Sequence, residues 1–201
     1  MSHNPTPEFG ELSPDISEVL FTADQLRQRV AELAGEISAV YRDKNPVLVG
    51  VLKGVLFFMA DLLRELPIAA EVDFLSVANY ATDARSQGLV RLVKDLETPI
   101  EGRHVLFVED VIDTGLTLNY LLRTLKARQP ASLEVCVLFN KPTQRLIDIP
   151  LRFKGFDIPD RFVVGYGLDF REKYRNLPFV GSLKPGVLMR GRAETKNTPG
   201  V

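Results

Sequence analysis

Glu109 and Asp110 stand side by side at the end of the apolar run 105–108, and Asp113, Thr114, Gly115, Leu116 and Thr117 follow within the same segment, VLFVEDVIDTGLTL. Two adjacent carboxylates are acceptors only, a pairing that suits the vicinal hydroxyls of a ribose or a hydrated magnesium ion. Gly115 lets the backbone turn sharply and approach a ligand closely. The free N–H groups of the helix that begins beside it would attract an anion, with the Thr114 and Thr117 hydroxyls as further donors. The segment therefore reads as a phosphate cup with an acidic rim. Acidic residues and threonines at a helix start also cap it and favour its dipole, and the segment alone leaves both readings open. G-x-x-x-x-G-K-[ST] does not occur and no G-x-G-x-x-G accompanies the strand, which disfavours a P-loop NTPase or a dinucleotide enzyme.

The elements that would carry this segment follow from periodicity. Thr22 and Gln25 have capping-box spacing, and Leu26, Val30, Leu33, Ile37 and Val40 recur as one face of a helix. The runs 47–52, 72–77, 105–108 and 133–139 suit strands, and 55–66 and 116–127 suit helices. A strand over 89–94 returns from the stretch 80–88, which has no period and reads as a mobile loop. Shorter strand candidates lie at 162–164 and 179–180. Strands apolar along their whole length and alternating with helices predict an α/β fold, a mainly parallel sheet flanked by helices. Ligands bind beyond the carboxyl ends of such strands, so the loops to read are Lys53-Gly54, 109–117, Asn140-Lys141 and 165–176.

Composition excludes several classes. The chain has 201 residues, with 25 Lys and Arg against 26 Asp and Glu, and this balance gives no argument for a nucleic-acid or membrane partner. Cys136 is the single cysteine, set in an apolar run, so no intrachain disulfide forms and a reducing, cytoplasmic setting is expected. His3 and His104 have no metal-ligand spacing. Residues 1–17 and 185–201 read as flexible tails around one domain over 18–184, with neither a signal peptide nor a membrane span.

The segment from Glu109 to Thr117 resembles the phosphoribosyl pyrophosphate signature of type I phosphoribosyltransferases. Val51-Leu52-Lys53-Gly54, Asn140-Lys141, DRFVVGYGLD from Asp160 to Asp169, and Tyr174-Arg175-Asn176-Leu177 are similar, in the same order, to the hypoxanthine-guanine branch. The likeness covers roughly residues 21–183. It implies a parallel core with a small hood built from the two chain ends, and transfer of the phosphoribosyl group to hypoxanthine or guanine in purine salvage. By the same resemblance Lys53 and Gly54 form the pyrophosphate loop, Glu109 and Asp110 meet the ribose hydroxyls, and Thr114, Gly115, Leu116 and Thr117 cup the 5-phosphate. Arg175 reaches pyrophosphate, Phe162 stacks on the base, Val163 binds it through its backbone, and Lys141 donates to the 6-oxygen. Magnesium is implied as cofactor, with Glu109, Asp110 and Asp169 as its carboxylates. Asp113 is the candidate base, or else a helix cap that orients the ring.

At the expected lid the family has a Ser-Tyr pair followed by glycine, whereas this chain has Asn79-Tyr80-Ala81. Closure over the site remains the expectation, with altered contacts. A homo-oligomer, dimer or tetramer, is the family habit. A xanthine-preferring transferase and a regulatory protein that senses phosphoribosyl pyrophosphate and binds nucleic acid are the competing readings; near-neutral charge weighs against the second.

Overall fold

A computed structural model describes residues 9–79 and 90–189. After a 3-10 helix over Gly10–Asp15 come β1 (Ile16–Phe21), α1 (Ala23–Tyr41), β2 (Val47–Leu52), α2 (Leu56–Glu65), β3 (Glu71–Asn79) and β4 (Val90–Lys94). Then follow β5 (His104–Ile112), α3 (Leu116–Lys126), β6 (Ser132–Asn140), a 3-10 helix over Pro142–Gln144, β7 (Phe153–Asp157), β8 (Val163–Val164) and β9 (Val180–Leu183). Residues 27–160 form one compact unit; the described residues of the chain ends, up to Leu26 and from Arg161, form another.

In the larger unit six strands lie in the order β4-β3-β2-β5-β6-β7, parallel except for the antiparallel β3-β4 pair. Alternation sorts their side chains. Val47, Val49, Val105, Phe107, Val135 and Val137 share a buried layer with Leu118, Leu121 and Leu125 of α3. On the opposite face Tyr41 of α1 meets Phe153 of β7, ring centroids 6.4 Å apart. Gly50 of β2 lies against Val55 and Met59, where a Cβ would be 2.8 Å from Val55 Cγ1, so α2 packs close only because no side chain intervenes. Each fully buried Val, Leu or Phe of these layers contributes about 1.5–3 kcal/mol relative to exposure. The expected parallel sheet covered on both faces is observed.

Strand order reverses between β2 and β5: the chain runs outward from β2 to β3 and β4, then returns to the other side of β2 as β5. Such a reversal opens a crevice at the strands' carboxyl ends. Lys53-Gly54, the Glu109–Thr117 segment and Asn140-Lys141 are all delivered to that end, while His104 starts β5 at the other, its Nδ1 2.8 Å from Ser132 Oγ.

The chain ends form a separate antiparallel sheet, β1-β9-β8, with Ile16 opposite Leu183 and Val163 opposite Ser182. Its core comprises Ile16, Val19, Val164, Tyr174, Leu177, Phe179 and Leu183. At Thr22 the capping box forms as spaced: Thr22 N–H donates to Gln25 Oε1 at 2.9 Å, and Gln25 N–H to Thr22 Oγ1 at 3.3 Å.

Several expectations are corrected. The flexible tail over 1–17 is wrong from residue 9 onward: residues 10–15 are helical, and Ile16 opens β1, buried by its pairing with β9 far along the chain. The flexible tail over 185–201 is wrong at its start, because residues 185–189 are helical, with Val187 and Leu188 packed on the chain-end core. β5 continues past Val108 to Ile112, so Glu109 and Asp110 sit on a strand and not in a loop. β7 was not anticipated, since FKGFD has no run of apolar residues; Gly155 is there because a Cβ would collide with the Leu138 carbonyl oxygen. Tyr80 and the expected lid lie outside the described residues, as do the first eight residues and those beyond 189; Asn79 closes β3. Among the described residues no helix is long and apolar enough to cross a membrane.

Candidate active site

At the end of β5, Glu109 is half-buried as a residue, yet its Oε2 is fully shielded and has no hydrogen-bond partner. Burial pushes this carboxyl well above the ordinary carboxylate range, and the charge of Asp110 pushes it the same way. Asp110 Oδ1 accepts from the Val111 N–H at 2.8 Å. Gly54 crosses directly over this carboxylate: a Cβ there would lie 2.9 Å from Asp110 Cγ and far closer to Oδ2. The Leu52–Lys53 peptide bond at the start of this crossing is cis. Lys53-Gly54 and Glu109-Asp110, some 55 residues apart in the sequence, are thus one surface.

Gly115 caps α3 with φ +80°, a left-handed angle that favours glycine; a Cβ there would meet Ile149 Cδ1 at 3.4 Å, an ordinary contact, so the backbone angle and not the space calls for glycine. Thr114 Oγ1 accepts from Leu116 N–H at a long 3.4 Å, and Asn119 N–H donates to the Gly115 carbonyl. Gly115, Leu116 and Thr117 begin the helix, so their amides and the two threonine hydroxyls surround an anion-attracting helix start.

Pairing of β5 with β6 sets Ile112 opposite Asn140, so the residues that follow each strand meet. Lys141 is only 8% exposed, and its Nζ lies 3.9 Å from Asp113 Oδ2, while Asp113 is largely open to solvent. A buried ammonium beside an accessible carboxylate is a hydrogen-bond donor and a proton acceptor side by side. Lys141 N–H is anchored on the Ile112 carbonyl at 3.0 Å.

In the chain-end unit, Phe162 is 47% exposed and meets Phe170 edge-on, with centroids 5.5 Å apart. Val163 is buried in β8. Asp169 Oδ1 pairs with Arg175 Nη2 at 2.9 Å, and Oδ2 accepts the Glu172 N–H at 2.9 Å. Arg175 also donates to the Gly167 carbonyl at 2.8 Å and to Glu172 at 3.2 Å. In this structure Arg175 and Asp169 thus pair with each other, while Arg175 Nε is shielded and has no hydrogen-bond partner. The loop they brace depends on Gly165, whose φ of +98° and closeness to the Phe179 carbonyl exclude a side chain.

No group of three or more His, Cys, Asp or Glu among the described residues could by itself hold a metal ion. Magnesium is commonly held by one or two carboxylates, with substrate phosphates and water completing its shell. Glu109 and Asp110 fit that use: Glu109 Oε2 has no protein partner to displace. Asp169 has both oxygens engaged.

The family model described as phosphoribosyl transferase domain matches residues 19–171. The chain belongs to the phosphoribosyltransferase family. Its similarity to proteins named hypoxanthine-guanine phosphoribosyltransferase is high: 46% identity over 173 residues to the Bacillus subtilis (strain 168) protein, covering 86% of this chain and 96% of that one. A second, from Mycobacterium avium, is 48% identical over 184 residues, covering 88% and 91%. A crystal structure of a hypoxanthine phosphoribosyltransferase from Staphylococcus aureus superposes with a TM-score of 0.86 at 41% identity, covering 90% of this chain and 98% of that one. The chain falls in the hypoxanthine-guanine branch of the phosphoribosyltransferases.

Within this phosphoribosyltransferase, one charged residue at the crevice end went unnoticed in the sequence. Arg145 donates to Asn140 Oδ1 at 3.1 Å, to the Ile147 carbonyl at 3.1 Å and to the Ile149 carbonyl at 2.9 Å. Leu146 N–H then bonds the Thr114 carbonyl at 3.0 Å. In the sequence it is an arginine in a polar turn; only the position of Asn140 before Lys141 hinted that its neighbourhood mattered.

Proposed function

We propose that this chain is a purine-salvage enzyme that transfers the 5-phosphoribosyl group of phosphoribosyl pyrophosphate to hypoxanthine or guanine, giving IMP or GMP and pyrophosphate. The observation that carries the reading is the Lys141–Asp113 pair beside the α3 start, because a 6-oxopurine needs both a donor to its exocyclic oxygen and an acceptor for its ring proton.

Displacement of pyrophosphate develops positive charge on the sugar, as in glycoside cleavage. Glu109 and Asp110 hold the ribose hydroxyls in this reading, while Gly54 passes close enough to Asp110 for the Lys53-Gly54 backbone to meet pyrophosphate. Glu109 and Asp110 would hold a magnesium ion, which would supply positive charge to offset that of the departing pyrophosphate. The amides of Thr114, Gly115, Leu116 and Thr117 take the 5-phosphate. Asp113 removes the ring proton, and Lys141 stabilises the negative charge that then spreads onto the 6-oxygen. In the chain-end unit the proposed roles are stacking for Phe162, backbone hydrogen bonds for Val163, metal-linked binding for Asp169 and pyrophosphate binding for Arg175, which must first exchange its bond to Asp169. Asn79 and Tyr80 are assigned to the lid that excludes water. Family resemblance supports a homo-oligomer in the cytoplasm, to be checked by sedimentation and by cell fractionation.

The test is kcat/KM for hypoxanthine, guanine and adenine with phosphoribosyl pyrophosphate and magnesium. Adenine presents an amino group where Lys141 needs an acceptor, and discrimination of that kind reaches ~10⁴. Lys141→Met keeps the length, removes the donor and is expected to cost about 1.5–3 kcal/mol of transition-state binding with hypoxanthine. Equal use of adenine by the native enzyme, or no loss in the variant, defeats the assignment.

A further inference from the structure

Lys141 is the residue on which base recognition turns, yet its long side chain has four rotatable bonds and its aim depends on how its backbone is held. The holding begins one residue earlier. Asn140 is 6% exposed, and its side chain is gripped from two sides: Nδ2 donates to Asp157 Oδ1 at 2.6 Å, and Oδ1 accepts from Arg145 Nη1 at 3.1 Å. Its carbonyl accepts the Ile158 N–H at 2.8 Å. Asp157 is fixed in turn by Lys154 Nζ at 2.6 Å.

Arg145 spends its other donors on the carbonyls of Ile147 and Ile149, and Ile149 is part of the buried layer under α3. The guanidinium thereby ties Asn140 to the core across a turn whose Leu146 is 72% exposed and contributes little packing. Only a planar fork with several fixed N–H directions can reach these acceptors together; an ammonium is a point donor.

We propose that Arg145 is a positioning residue for the purine reader, holding Asn140 so that Lys141 is aimed at the 6-oxygen of the base. The inference rests on the reading of Lys141 as that reader. Arg145 itself touches no substrate. A displacement of about 1 Å at a positioned group costs on the order of 10²-fold, which sets the scale of its effect.

A double-mutant cycle of Arg145→Met with Lys141→Met tests this, reading kcat/KM for hypoxanthine at saturating phosphoribosyl pyrophosphate so that effects on the phosphate cup drop out. Arg145→Met is expected to lose ~10- to 100-fold with Lys141 in place and less than about 3-fold in the Lys141→Met background, since residues acting through one another are non-additive. The hypoxanthine-to-adenine ratio should fall alongside. A merely structural Arg145 would give the same loss in both backgrounds, with the ratio unchanged, and that result overturns the proposal. Arg145→Lys, which keeps the charge and most of the volume, serves if the methionine variant does not fold; full activity in it shows that the fork is not needed and also overturns the proposal. Should Lys141→Met alone cost nothing, the reading beneath is wrong and the inference falls with it. A costly Lys141→Met with additive Arg145 effects removes the inference alone.

Discussion

Gly54→Ala probes whether the loop proposed to bind pyrophosphate and the carboxylates proposed to hold the ribose act as one surface. The new methyl would lie 2.9 Å from Asp110 Cγ and closer still to Oδ2, so the carboxylate must give by about an ångström or more to restore contact distance. What yields is the end of a side chain and not backbone, so the fold should survive; Asp110 rotates and exchanges its bond to Val111 N–H. The rotated carboxylate no longer meets a ribose hydroxyl, and a hydrogen bond to a charged group contributes about 1.5–3 kcal/mol. That corresponds to roughly 10- to 150-fold in kcat/KM for phosphoribosyl pyrophosphate, at 1.36 kcal/mol per factor of ten. The assay is initial rates with that substrate varied and hypoxanthine saturating, with the melting temperature measured alongside. The double variant Gly54→Ala, Asp110→Gly should be no worse than Asp110→Gly alone, because the collision is then gone. Activity within twofold of the native enzyme in Gly54→Ala, or full additivity in the double variant, refutes the reasoning.

Asp113→Asn should lower turnover by ~10² or more while leaving phosphoribosyl pyrophosphate binding nearly intact, the usual contribution of a positioned base being ~10² to 10⁴; single-turnover rates and a binding titration separate the two. Excess chelator should abolish activity, and added magnesium should restore it; full activity with no divalent ion bound contradicts the carboxylate assignment. Asp73, 7% exposed, accepts N–H bonds from Glu97 at 2.7 Å and Thr98 at 2.8 Å, so Asp73→Ala should cost about 1–3 kcal/mol in denaturant unfolding. Burial alone would raise the Asp73 carboxyl, but the N–H groups of Thr98, Phe74 and Glu97 together with Lys94 outweigh it and hold it below the ordinary range. Its stabilisation is therefore present above the unfolded value of about 3.9 and is lost as pH falls below that through the folded value. Asp73→Asn should flatten this part of the stability profile; an unchanged slope there removes Asp73 as its source.

The carboxylate pair, the glycine and the threonines of the α3 start lie within nine consecutive residues, and nothing but local sequence is needed to bring them near one another. For the same reason the wholly apolar strands and the capping box at Thr22 were legible: burial on both faces and a reciprocal cap leave their mark on the residues themselves. Composition and periodicity do not show that the chain ends pair; only the family resemblance implied a hood built from them. Ile16 looks like part of a loose terminus until β9, more than 150 residues later, supplies the partner that buries it. β7 depends likewise on its place beside β6, which a short strand containing glycine does not announce.

Residue types determined what chemistry was available: carboxylate acceptors at Glu109, Asp110 and Asp113, hydroxyls at Thr114 and Thr117, and an ammonium donor at Lys141. Tertiary structure decided which of these act on one another. Strand reversal between β2 and β5 laid Gly54 over Asp110, and the β5–β6 register set Lys141 Nζ 3.9 Å from Asp113. The same long-range packing shielded Glu109 Oε2, shifting its proton affinity, and wrapped Arg145 around Asn140. Burial and distance between groups far apart in the chain are properties of the packed sheet, and no window of sequence contains them.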